Sequence, residues 1–93
     1  MHVGVLHIEL LIPHATNLKA KRQVLNSIKM GLRGKVNVSL AEVDFQDKWQ
    51  RAALGFSCVG SSRAAVDATL QHMFSIIDNR TDCELISHLF EFY

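Results

Sequence analysis

Ninety-three residues make one domain with room for a single modest core. A hydrophobic share of 48% and a charged share of 20% are ordinary for a soluble globular chain. Net charge is +1, and no apolar run approaches the ~18 residues a membrane helix needs, which argues against a membrane-spanning role.

The opening MHVGVLHIELLIP has no basic flank and carries a Glu in its apolar run. It reads as a strand rather than a signal peptide, so the expected location is cytoplasmic. In a strand over Val3–Ile12, Leu6, Ile8, Leu10 and Ile12 share one face. Val3, Val5, His7, Glu9 and Leu11 share the other, and Pro13 stops the strand. Asn17 stands where an N-cap belongs, ahead of a helix from about Leu18 to Arg33 that Gly34 closes. Its buried arc is Leu18, Val24, Leu25, Ile28 and Leu32. A second strand is expected over Val36–Val43, with Val36, Val38 and Leu40 on one face.

The polar run from Asp44 to Arg51, broken by Phe45 and Trp49, then makes a turn. A third strand follows over Trp49–Val59, with Ala52, Leu54, Phe56 and Cys58 inward. Gly60, Ser61 and Ser62 supply a turn and a cap for a second helix over Arg63–Asp78. There Val66, Leu70, Met73 and Ile77 recur at the helical period. Glu84–Tyr93 is the last strand. The order β-α-β-β-α-β over residues 1–93, with short links, specifies a single ferredoxin-like α+β domain. Two helices then cover one face of a four-stranded antiparallel sheet.

The uncovered face carries more apolar surface than a water-facing sheet should. Alternation assigns it Val5, His7, Val43, Phe45, Trp49 and Leu89, with Val3, Leu11, Ala53, Val59, Leu85 and Tyr93 around them. A homodimer packing sheet on sheet is the simplest cover, because identical patches are self-complementary about a two-fold axis. RNA recognition through aromatics of the central strands is not expected, since the outward middle positions are mostly Val, Ala, Gly and Ser.

The first helix carries a different signal. From Leu10 to Ala41 there are six basic residues and no acid. Lys19, Arg22, Lys29 and Arg33 fall with Asn26 in one narrow arc at ~100° per residue. Lys21 falls instead in the buried arc, where either its stem packs and its ammonium exits at the helix end or it makes a specific anion or carboxylate contact. Three cations in the first turn oppose the helix dipole and need an anion nearby. The topology brings Glu42, Asp44 and Asp47 to that end of the sheet, which would leave Lys48 and Arg51 free to extend a basic edge. A phosphate or other anion bound at the helix N-terminus is the other compensation this pattern suggests.

Signals for chemistry are thin. Cys58 and Cys83 form no CxxC and are expected to be reduced and buried. His2, His7, His14, His72 and His88 show no metal spacing. A zinc site from His7, Glu9 and His88 would lack a further ligand, so no metal and no cofactor are expected. Asp44 and Asp47 could do acid–base work, but an Asp-rich run is ordinarily a turn. No catalytic residue is assigned, and an enzyme is not expected.

The stretches GVLHIELLIPHATNLKAKRQVLNSI, VNVSLAEVDFQDKWQRAALG and ELISHLFEF resemble the YlxP-like family of small bacterial proteins, domain of unknown function 503. The resemblance covers nearly the whole chain. The family pattern reads LKEKR where this chain has Ala20, and a His often stands at the position of Phe45. The resemblance implies a ferredoxin-like fold. It also implies genes beside those for NusA, translation initiation factor two, ribosome-binding factor A and a tRNA pseudouridine synthase. That neighbourhood suggests an accessory role in ribosome assembly or RNA metabolism and carries over no catalytic residue. Three readings follow: a non-enzymatic RNA- or ribosome-associated factor, a protein–protein adaptor using the apolar face, and a small-molecule or enzymatic site at the Asp44–Arg51 edge.

Overall fold

Alternation along the first strand decides where the core lies. The structure is a computed structural model that describes residues 1–32 and 37–93. The elements are β1 (His2–Leu11), α1 (Leu18–Leu32), β2 (Ser39–Asp44), β3 (Arg51–Gly60), α2 (Arg63–Asp78) and β4 (Glu84–Phe92). The expected Gly34 closure, Arg33 and the Val36 start of the second strand lie outside the described residues. Among the described residues the strands form one antiparallel sheet in the order β2-β3-β1-β4. With the helices between, this is the ferredoxin-like α+β arrangement.

Leu6, Ile8, Leu10 and Ile12 meet Ala52, Leu54, Phe56 and Cys58 on the helix side, all buried. Burying such side chains is worth roughly 1.5–3 kcal/mol each before chain entropy is counted. From α2, Val66, Leu70, Met73 and Ile77 close this core. From α1, Leu25, Ile28 and Leu32 do so, together with Lys21. Leu18, expected inside, is 40% exposed because it stands at the first turn of α1, beyond the sheet's cover. Asn17 caps α1, its Oδ1 accepting from Ala20 N at 2.8 Å. Ser62 caps α2, its Oγ accepting from Ala65 N at 3.1 Å. Gly4 allows α2 to ride close on β1: a Cβ there would lie 2.5 Å from Val66 Cγ1 and 2.7 Å from Leu70 Cδ1.

Two β-bulges shift what strict alternation expects. Glu9 pairs with Ser87 but Leu10 pairs with Leu85, so Ile86 is the extra residue on β4. Leu85 therefore packs against the core on the helix side, not on the open face. On β2, Glu42 pairs with Leu54 and Asp44 with Ala53, which makes Val43 extra. Glu42 faces the helices by alternation with Leu40, Val43 reaches the open face, and the bulge pairs Asp44 with Ala53 on the open side rather than leaving it on the side of Glu42.

Candidate functional site

Lys21 follows the helical spacing of Leu25, Ile28 and Leu32, so the packing that buries them buries it too. Its side chain is 0% exposed. The ammonium does not exit to solvent, as a snorkelling lysine would. Lys21 Nζ donates to the Phe45 carbonyl at 2.6 Å and lies 3.0 Å from Glu42 Oε2. The latter is an ionic contact without hydrogen-bond alignment, which leaves Oε2 with no aligned donor. Arg22 Nη1 donates to Glu42 Oε1 at 2.5 Å, and its Nη2 reaches the Gln46 carbonyl at 3.5 Å. Burial pushes the Glu42 carboxyl up, but the bonds and charges of Arg22 and Lys21 outweigh it and hold the group below its ordinary range.

This cluster fixes the turn. Phe45 sits at φ 59, the left-handed region that a bulky residue seldom adopts. Three groups hold it there: Asp44 Oδ1 accepts from Phe45 N, while the Phe45 carbonyl accepts from Lys21 Nζ and Lys48 N. On the far side of the turn Gln50 Nε2 donates to the carbonyls of Pro13 and Ala15, tying the β1–α1 loop to it. Gln50 carried no signal in the sequence, because a lone Gln in a polar run looks like any other solvated side chain.

The expected charge partners are sorted differently from the sequence reading. Glu42 alone of Glu42, Asp44 and Asp47 pairs with α1 cations among the described residues. Asp44 is turned onto its own backbone as a turn cap, and Asp47 stands exposed at the turn. Arg51 is not free. It faces the open side of the sheet, donates to Glu9 Oε2 at 2.5 Å and lies 4.5 Å over the Phe45 ring. Lys19, Lys29 and Lys48 are exposed, and Arg33 lies outside the described residues. Lys21, Arg22 and Arg51 are thus engaged within the chain.

Val5, His7, Val43, Trp49 and Leu89 share the open face, with Phe45 at its corner. Val43, Trp49 and Leu89 are each more than half exposed. The face is not flat. Ala41, Gly55 and Ser57 leave a shallow hollow of about 340 Å³ bounded by Val5, His7 and Val43. A neighbouring hollow of about 180 Å³ lies between His7, Val43 and Leu89. A groove of about 490 Å³, lined by Leu11, Phe45, Lys48, Trp49 and Arg51, continues the same surface past the turn. Polar pairs sit on this face as well: His7 Nε2 is 2.9 Å from Glu91 Oε1, and Arg51 forms an ion pair with Glu9. Tyr93 donates to Glu91 at 3.0 Å, and that carboxylate pushes the phenol up.

Residues considered for chemistry are placed apart. His7 pairs with Leu89 and Ile8 with His88, so His7 and His88 lie on opposite faces of the sheet and cannot share a zinc ion. Among the described residues, no three His, Cys, Asp or Glu side chains gather around a common point. Cys58 and Cys83 are both free and buried, and burial raises the Cys83 thiol. No described helix is long and apolar enough to cross a membrane.

Two comparisons bear on this geometry. A family model described as "Protein of unknown function (DUF503)" matches residues 3–89. The "Uncharacterized protein YlxP" of Bacillus subtilis (strain 168) is 38% identical over 82 residues, covering 88% of this chain and 89% of that protein.

Proposed function

The chain belongs to the DUF503 family, and from that premise we propose that it is a non-enzymatic binding module whose working surface is the open sheet face. The carrying observation is the pair of hollows between Val5, His7, Val43 and Leu89, beside the exposed Trp49. A concave apolar strip wants a convex occupant. Two copies face to face would leave both hollows unfilled and would desolvate the His7–Glu91 and Glu9–Arg51 pairs. The occupant we infer is an amphipathic helix of another protein, laying apolar side chains into the hollows and charged ones against the flanking ion pairs.

A second reading, RNA association, rests on α1, which carries no acid and exposes Lys19 and Lys29. It is weaker, because Glu42 partly neutralises Arg22, while Lys21 and Arg51 are paired within the chain. One comparison separates them: native-salt pull-downs with the parent chain, Val43→Asp and a Lys19→Glu/Lys29→Glu double variant, each with and without RNase. The adaptor reading expects partners that survive RNase and the charge reversals but are lost with Val43→Asp. Partners lost on RNase treatment or charge reversal, and steeply weakened by salt, would favour RNA instead.

A further inference from the structure

We propose that β4 is the seam of a homodimer, pairing antiparallel with β4 of a second copy about a two-fold axis at Leu89. Backbone accounting comes first. Val3 and Tyr93 exchange both of their N–H···O bonds, at 3.3 and 2.8 Å. In an antiparallel ladder such pairs alternate with unbonded ones, so Glu91, Leu89 and Ser87 also turn their N–H and C=O groups toward β1. The groups of His88, Phe90 and Phe92 then point away from the sheet. β4 is last in the strand order, and among the described residues no backbone group meets them.

That edge carries Glu84, Glu91 and a bulge at Ile86 but no Lys or Pro, and beyond the bulge it pairs regularly from Ser87 to Phe92. The opposite edge, β2, also has two acids and a bulge, at Val43, but only six residues against nine. A regular open stretch of this length is a template for another strand.

Register singles out the second copy. With the axis at Leu89, His88 stands opposite the partner's Phe90, and both have outward backbone groups to exchange. Ser87 stands opposite the partner's Glu91, so no like charges meet. On the helix side, Phe74, His88 and Phe90 already form an aromatic cluster, with Phe74 4.5 Å from His88 and 5.8 Å from Phe90 between ring centroids. Phe74 and Phe90 are only half-buried, and pairing would cover them with the same cluster of the partner. The seam doubles the sheet and leaves the face of the proposed function uncovered on both copies, so the two proposals stand or fall separately.

Light scattering on the full chain at tens of micromolar should return twice the 10.5 kDa chain mass. His88→Pro removes an N–H with no partner among the described residues, so it should return a single-chain mass with an unchanged far-UV spectrum. Leu89→Cys places two thiols at an unbonded pair, with Cα atoms ~4.5 Å apart, inside the disulfide range of ~4.4–6.8 Å. With added oxidant it should cross-link, whereas Val59→Cys on the open face should not. Val43→Asp should leave the dimer intact. The seam is overturned by a single-chain mass at every concentration up to roughly 1 mM. It is overturned equally if Val43→Asp dissociates a dimer that Leu89→Cys fails to cross-link.

Discussion

At one edge of the sheet β2 runs six residues, is bulged at Val43 and ends in a turn held by a buried lysine. At the other, β4 runs nine residues and ends with Glu91 2.9 Å from His7 and the Phe92 ring 4.0 Å beneath the Arg63 guanidinium of α2. Yet the short edge is the better anchored. Lys21 and Arg22 reach across from α1 to Glu42 and to the carbonyls of Phe45 and Gln46, so the corner nearest the groove moves with the helix. The β4 edge is held through its ladder to β1, by the His7–Glu91 contact and by Arg63 stacked on Phe92, with no buried charge among them. A sheet with one pinned edge and one open edge has its rigid binding corner and its site for strand addition at opposite sides.

Removing the pin should give the largest effect. Lys21→Met keeps the stem's packing but removes the charge, leaving Glu42 with Arg22 alone and the Phe45 carbonyl with only Lys48 N. Breaking a buried pair by deleting one partner costs ~3–5 kcal/mol, and the surviving Arg22 bond places this case near 3. Urea unfolding would measure it. A loss below about 0.5 kcal/mol would mean that Lys21 is held by its neighbours and holds nothing itself.

Next in size is the close approach at Gly4. Gly4→Ala puts a methyl within 2.5 Å of Val66 Cγ1, and a β-branched side chain in a helix has few ways to yield. The expected destabilisation is about 1–3 kcal/mol, with α2 lifted from β1. It should weaken both edges alike, which makes it the control for any claim that Lys21→Met acts locally on β2. Unchanged thermal unfolding of Gly4→Ala would show that α2 shifts without penalty.

Much of this was readable in advance, and the misses have local causes. Alternation and helical spacing placed the core faces of β1, β3 and α2, because one buried face forces a strict period. It failed at Leu85, where a single extra residue, Ile86, reverses which face follows it. A bulge has no reliable composition, so nothing in ELISHLFEF announced it. Lys21 was recognisable as a lysine in an apolar arc, and Glu42 as one of three acids topology would bring near it. Alternation with Leu40 puts Glu42 on the helix side; what could not be read is that the Val43 bulge takes Asp44, two residues on, off that side. Arg51 was expected to be free, since its partner Glu9 lies on β1, far away in sequence and assignable only once the register is known.

The smallest effect separates the pin from the rest of the molecule by pH. Glu42 is held below its ordinary 4.5 in the fold, so its contribution is complete above that value and is lost as pH falls through the lower folded value. Asp82 is held down in the same direction by Arg80, so the parent chain loses stability in acid for at least two reasons. Glu42→Gln keeps the shape and one acceptor but cannot ionise. The difference between parent and variant should be largest near neutral pH and shrink as pH falls through the lowered folded value, where the parent's carboxyl also takes up its proton. A difference that stayed constant from pH 7 to pH 3 would mean that the Glu42 pairing contributes through shape alone. The β2 corner would then be held by packing and neutral hydrogen bonds rather than by charge.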